Sequence, residues 1–298
     1  MSGVREVVVR ADGRAWGASL GLPAEARAGG RGAPVVCVAH GFAQTADRYL
    51  SLIESLAGRG YVVVAPHASA HLLPSHSRYA RQLRDSLLWA CRTQPVADPS
   101  ACALVGHSLG GLEARVYAQA WPEDVAGMVL VDTSPAAEGL IDENQPDFDE
   151  GAGREGDIAH YLYCASLARS RPFAADSEEL TDCSAVLPND APAAFRRVWP
   201  QFFTPSYFEA KASLIWGLYN HRYDGADHHA LGAMPLVVLS IEHPWAHGER
   251  PARVRLDQSY GKIWNAMHAD LARLSSRGVH RIVEQSGHHI QLDQPQAV

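Results

Sequence analysis

The chain has 298 residues, a net charge of −7 and a pI near 6.1, with 47% hydrophobic and 20% charged residues. That balance suits a water-soluble globular protein with a sizeable core, as one large α/β domain or two smaller ones. The acidic balance and scattered arginines argue against a general nucleic-acid binder, which presents a clustered basic face. Arg78, Arg81 and Arg84 stand three apart and read as one solvated helix face.

The opening "MSGVREVVVRADG" lacks the apolar stretch and small-residue cleavage site of a secretory leader, and no apolar run approaches 18 residues. A cytoplasmic location without membrane association is the expectation. Five cysteines in no framework spacing fit that setting, and Cys37 and Cys102, inside apolar runs, read as buried free thiols.

Taken in chain order, "REVVVRADG" and "AWGASLGLP" read as an antiparallel pair. "PVVCVA" (34–39) reads as a buried strand, followed by a helix carrying Leu50, Ile53 and Ala57. "GYVVVAP" (60–66) is a second buried strand, and Tyr79, Leu83 and Leu87 mark the next helix. "ACALVG" (101–106) and "GMVLVD" (127–132) are strands flanking a helix that starts at Leu109.

Residues 133–234 carry no strong strand pattern. The acidic "EGLIDENQPDFDEGAGREGD" reads as a solvated loop, since its spacing fits no calcium-binding EF-hand. "IAHYLYCASLARS" and "PSYFEAKASLIWGLYN" read as helices with aromatic faces. Two further strands follow, "PLVVLS" (235–240) and "GVHRIVE" (278–284), around a helix placing Ile263, Met267, Leu271 and Leu274 on one face. Strands alternating with helices predict a largely parallel sheet covered on both faces. The helical insertion resembles a cap, and the chain stops at Val298, where "LDQPQAV" would open a closing helix.

Gly106-His107-Ser108-Leu109-Gly110 matches G-x-S-x-G, a pattern expected about 0.1 times by chance in a chain this long. It follows a strand and opens a helix, the setting in which a serine is presented as a nucleophile on a tight turn. Leu109 at the helix start offers a backbone N–H with the positive helix end behind it. The rival reading, a structural glycine turn in a nucleotide-binding sheet, lacks both G-x-G-x-x-G after the first strand and a phosphate loop ending in Gly-Lys-Ser/Thr.

From Val35 to Pro295, "VAHGF", "YVVVAP", "LVGHSLGG", "VAGMVLVD", "PLVVLS" and "SGHHIQLDQP" follow one another as in the α/β-hydrolase-fold superfamily, which the chain resembles. The resemblance implies a single α/β domain, a mostly parallel central sheet with helices on both faces and an inserted helical cap at about 133–234. It implies Ser108 as nucleophile and His288, after the last strand, as its base, with neighbouring His289 pointing elsewhere. The amides of Phe42 and Leu109 would form the oxyanion hole. His40 and Gly41 shape the turn before Phe42, and His40, Gly41 and His107 are expected to border the substrate.

The acid departs from the common pattern. Family members usually place Asp shortly after the strand at 235–240, where this chain reads Ser240-Ile241-Glu242-His243. Asp132, at the end of "GMVLVD", is favoured as the acid because some branches take it from that strand end. Glu242 is the alternative. Asp132 as a mere cap of the following turn is the structural reading that competes.

After "YVVVAP" the family's Asp and Gly-rich turn are replaced by His67-Ala68-Ser69-Ala70-His71, so His67 or His71 would border the acyl pocket. "HRYDGADHH" (221–229) and "HPWAH" (243–247) carry no H-E-x-x-H and read as loop histidines.

The resemblance thus implies hydrolysis of a carboxylic ester or related acyl bond of a small, partly apolar molecule, with no metal or organic cofactor. No nucleic-acid or membrane partner is implied, and oligomeric state is not legible. The alternatives are acyl transfer by the same residues and non-catalytic binding of a small hydrophobic ligand.

Overall fold

A computed structural model of the chain describes residues 3–24, 32–41, 44–67, 76–134, 150–171, 173, 183, 204–219, 230–241 and 254–298. Its centre is an eight-stranded sheet: β1 (Val4–Ala11), β2 (Arg14–Gly21), β3 (Ala33–Ala39), β4 (Val62–Pro66), β5 (Ala97–His107), β6 (Gly127–Val131), β7 (Leu236–Ile241) and β8 (Gly278–Val283). The spatial order is β1-β2-β4-β3-β5-β6-β7-β8. β1 and β2 pair antiparallel, as their alternation predicts, and β2 meets β4 antiparallel. The remaining pairs, from β4 through β8, are parallel.

The inner strands read as unbroken apolar runs because helices cover them on both sides. All five residues of β4 are buried. In β3 the pleat sends Val36 and Val38 into a core shared with Tyr49, Leu52 and Ile53, the last two on α1 (Leu50–Gly58). The alternate residue, Cys37, faces α2 (His76–Thr93), its thiol 3.6 Å from the Leu83 carbonyl. Tyr79, Leu83 and Leu87 of α2 are buried, as their spacing predicts. β8 is one of the two edge strands and leaves Val279 and Ile282 exposed.

The chain order reverses at β3, since β4 lies on one side of it and β5 on the other. Crevices at such reversal points, at the carboxyl ends of the strands, are where open α/β sheets bind ligands. α3 (Leu109–Ala120) leaves β5 at this point.

The chain divides into two compact units, one formed by residues 1–67, 76–136 and 225–298, the other by 68–75 and 137–224. In the second, α4 (Glu150–Ser170) packs against α5 (Pro205–Tyr219) around Cys164, Ala165, Cys183 and Phe208. Both helices were expected, but α4 starts inside the acidic stretch read as loop. Apolar packing of its later turns outweighs the three poorly helix-forming glycines and aspartate of "EGAGREGD".

Cys164 and Cys183 form a disulfide, whereas Cys37, Cys91 and Cys102 are free. The reading of Cys37 and Cys102 as buried thiols holds. A disulfide persists in oxidising surroundings, so it counts against the expected cytoplasmic location. Among the described residues no helix is long and apolar enough to cross a membrane.

α6 (Val254–Ala272) differs from expectation in its face. Among its described residues Gly261, Trp264, His268, Leu271 and Ala272 are buried and Met267 is only half-buried. Leu271 is buried as expected, Leu274 lies past the helix end, and the Ile263 side chain lies outside the described residues. Trp264, His268 and Leu271 keep helical spacing, and the Trp264 indole finds a partner in Asp132.

Candidate active site

Ser108 stands between β5 and α3 at φ 53°, ψ −128°, a left-handed conformation that costs a non-glycine residue about 1–3 kcal/mol. Its surroundings hold it there. The Ser108 N–H donates to the Val131 carbonyl, and the Ser108 carbonyl accepts from Gly111 N–H, Ser134 N–H and the Thr133 hydroxyl, all at 3.0 Å. The flanking glycines are required by close approach: a Cβ on Gly106 would lie 2.5 Å from Gly111 Cα, and one on Gly110 would lie 2.3 Å from the Ala39 carbonyl oxygen. Leu109 opens α3, so its N–H belongs to the first-turn donors that have no acceptor within the helix.

The next strand ends in Asp132, also at positive φ (40°), with its N–H on the Leu239 carbonyl of β7 at 2.8 Å. Its side chain is 1% exposed and makes a 2.6 Å hydrogen bond from His288 Nδ1 to Oδ2. Trp264 Nε1–H donates to Oδ1 at 2.8 Å, and the Ile241 N–H approaches the same oxygen at 3.4 Å. Burial alone would raise the Asp132 pKa, but the hydrogen bond and charge of His288, aided by His268 and Trp264, hold it below the ordinary value. A carboxylate in this position requires a proton on Nδ1, which leaves Nε2 as the basic nitrogen of the neutral ring.

His288 is carried by the turn after β8. Gln285 takes positive φ (55°), the Ser286 hydroxyl donates to the Val283 carbonyl at 3.0 Å, and Gly287 N–H donates to Asp293 Oδ2 at 2.7 Å. His289 follows as the residue before α7 (Ile290–Asp293); burial foremost, then the neighbouring His288, brings its pKa to about 4.

The turn after β3 lies against the elbow: a Cβ on Gly41 would be 2.9 Å from His107 Nδ1 and 3.1 Å from Ser108 Cβ. His40 is buried, and its Nδ1–H donates to the Gly41 carbonyl at 3.0 Å, so it shapes this turn. Desolvation lowers its pKa to about 4, which keeps it neutral. His107, expected to border the substrate, is 1% exposed, with Tyr49 and the His288 backbone at its two ring nitrogens. Both ring nitrogens are thus engaged within the fold.

His67 pairs with Glu6 of β1 at 2.8 Å. Phe42, Glu242, His71 and the histidine-rich stretches 221–229 and 243–247 lie outside the described residues. The structure therefore brings Ser108, Leu109, Asp132 and His288 to the carboxyl ends of neighbouring strands, with Asp132 and His288 in direct contact.

Two partners escaped the sequence reading. Trp264 was legible only as an aromatic on α6, and its spacing of seven residues from Leu271 is the signal that would have turned it inward. Tyr49 carries no motif, and only its place after the turn at 40–42 hints at its role.

The fold agrees with the comparisons. The family model for the α/β hydrolase fold matches residues 34–159. The chain is 28% identical to an esterase of Mycobacterium tuberculosis over 271 residues, 90% of this chain and 81% of that protein. Among solved structures, a candidate lipase of Acinetobacter baumannii aligns with a TM-score of 0.61 at 16% identity, covering 99% of this chain and 88% of that one. A thermophilic esterase of Thermogutta terrifontis aligns with a TM-score of 0.53 at 17% identity, covering 99% and 95%. The chain has the α/β-hydrolase fold, and the stretch 34–159 that matches the family model spans β3 to β6 and the Ser108 turn.

Proposed function

We propose that this protein is a serine hydrolase that cleaves a carboxylic ester or related acyl bond of a small, partly apolar substrate through an acyl-enzyme. The observation that carries the reading is the 2.6 Å contact between the buried Asp132 carboxylate and His288 Nδ1, one strand from a serine held in a strained turn. The esterase to which the chain is similar supports the same class of substrate.

In the proposed cycle His288 Nε2 takes the Ser108 proton as Oγ attacks the carbonyl carbon. The Leu109 and Phe42 amides receive the developing oxyanion, and the loss of one such donor costs about 3–4 kcal/mol of transition-state stabilisation. His288 then protonates the leaving alcohol, and water activated by the same nitrogen hydrolyses the acyl-enzyme. Asp132 fixes the tautomer and stabilises the imidazolium. Its strained backbone and its four contacts, with His288, Trp264, Ile241 and Leu239, go beyond what a turn cap needs, which favours it over Glu242 as the acid. The insertion at about 133–234 is read as a helical cap, and the reaction is read as needing no metal or cofactor.

Steady-state hydrolysis of p-nitrophenyl esters of graded acyl length tests this. Asp132→Asn is expected to lower kcat by about 10³–10⁴-fold, the scale of a wrong-tautomer histidine, while Glu242→Gln stays near wild type. The reverse pattern would reassign the acid.

A further inference from the structure

Beneath the proposed catalytic residues lies a buried polar chain that the reaction itself does not use. The Tyr49 side chain, 1% exposed, stands at its centre. The phenol oxygen accepts from Gly41 N–H at 2.8 Å, lies 2.7 Å from His107 Nδ1, and lies 2.8 Å from the Gln44 side-chain amide. His107 Nε2 lies 2.7 Å from the His288 backbone carbonyl oxygen. The His107 ring also packs at 4.7 Å between centroids from the His288 ring.

Counting protons orders this chain. A carbonyl only accepts, so His107 Nε2 carries the hydrogen. The neutral ring then accepts at Nδ1, and the one hydroxyl proton of Tyr49 goes there. With its proton committed to His107, the phenol oxygen accepts from both Gly41 and Gln44. The structure places Gln44 Oε1 2.8 Å from the phenol oxygen, so this proton count requires the Gln44 amide to be turned over, with its NH2 toward Tyr49. Desolvation lowers the His107 pKa well below its ordinary value, which agrees with a neutral ring.

We propose that Tyr49 and His107 are positioning residues whose directed hydrogen-bond chain, Gly41 N–H to Tyr49 to His107 to the His288 carbonyl, fixes the oxyanion turn and the base loop to the nucleophile elbow at the same time. His107 belongs to the elbow, Gly41 to the turn after β3, and His288 to the loop after β8. These segments are remote in sequence, and each carries one proposed catalytic group or its neighbour. The first x position of G-x-S-x-G thereby gains a structural role, presenting a rigid two-ended ring between the oxyanion side and the base side. An aliphatic residue there would fill the space and leave two buried partners, the Tyr49 hydroxyl and the His288 carbonyl, unsatisfied.

The inference rests on the proposed function for its catalytic meaning, and its test separates the two. Purified full-length wild type, Tyr49→Phe, His107→Leu and His107→Gln are compared for kcat and KM on a p-nitrophenyl ester, with circular dichroism to check folding. The far-downfield proton NMR signal of the His288 Nδ1–H bonded to Asp132 is recorded for each. Tyr49→Phe and His107→Leu are expected to lower kcat about 10- to 100-fold with KM within about twofold, and to shift or broaden the downfield signal. His107→Gln, which keeps an N–H near the Nε2 position, is expected to recover most of the lost kcat and restore the signal. The Tyr49→Phe/His107→Leu pair is expected to cost little more than either change alone, because both break one chain. A sharp, unshifted signal in folded Tyr49→Phe and His107→Leu overturns the inference, as does His107→Gln behaving like His107→Leu. If wild type hydrolyses no ester and the signal still moves, the proposed function fails while the positioning role stands.

Discussion

Asp132 illustrates how one residue is set by partners from several directions. Its carboxylate is buried, which opposes ionisation, yet it accepts from His288, Trp264 and the Ile241 amide. Hydrogen bonds to a charged group are worth about 1.5–3 kcal/mol each, enough to keep the carboxylate ionised in a site that excludes water. Trp264 is the partner that touches nothing reactive. Trp264→Phe keeps the ring's packing and removes the N–H, so stability should fall by about 1–3 kcal/mol in urea titration. A small fall in kcat, several-fold at most, should accompany it, because His288 still holds the other oxygen. A loss as deep as that of Asp132→Asn would mean that Trp264 sets the carboxylate's position outright.

At the scale of elements, the elbow exists because a strand and a helix meet with almost no space between them. Gly110, in the first turn of α3, lies against the end of β3, where a Cβ would come 2.3 Å from the Ala39 carbonyl oxygen and 2.5 Å from that of His40. Those atoms are backbone and cannot swing away. Gly110→Ala is therefore expected to destabilise by about 1–3 kcal/mol or more, as overpacking does, and to displace the turn that carries His40 and Gly41. Gly58→Ala, where a Cβ meets open space, is the control. Equal melting temperatures for both variants would contradict this packing.

Most elements were legible because period and punctuation agreed. β3, β4 and β5 are short apolar runs bounded by Gly, Pro or His, and α2 repeats its apolar residues at helical spacing, so pattern alone places them. The strand-to-helix setting of Ser108 was legible for the same reason, and so was the position of Asp132 at a strand end. The contact between Asp132 and His288, 156 residues apart, was expected only through the family resemblance, with Glu242 as the alternative, because it depends on β6, β7 and β8 lying side by side in that order. The burial of Trp264 and His268 on α6 was hidden: both count as polar-tipped in a pattern search, and only the fold brings Asp132 to the Trp264 indole. The Cys164–Cys183 bond falls in the same class, since the spacing of five cysteines specifies no pairing.

Across the whole molecule, the buried histidines link stability to pH. Desolvation brings His40 from 6.5 to about 4, and burial with the charge of His288 brings His289 to about 4. His107 and His268 are also lowered, foremost by burial. Each lowered folded pKa means that the unfolded chain binds protons the folded one refuses between the two values. Stability is then complete above about pH 6.5 and declines as pH falls toward 4, by up to about 1.4 kcal/mol per pH unit for the fully buried His40. Asp132, held below its ordinary value, adds its own loss only at lower pH, as it protonates. Urea midpoints measured from pH 8 to 5 should be level at first and then fall, and a midpoint rising toward pH 5 would contradict the neutral, buried histidines.

The central claim is that Ser108 is an activated nucleophile. Intact-mass labelling with a fluorophosphonate tests it most directly, because the probe needs an activated serine and an oxyanion hole but no knowledge of the substrate. A single adduct on wild type, absent from Ser108→Ala, is the expected result. A folded wild type that takes up no probe, or an adduct that persists in Ser108→Ala, would contradict it.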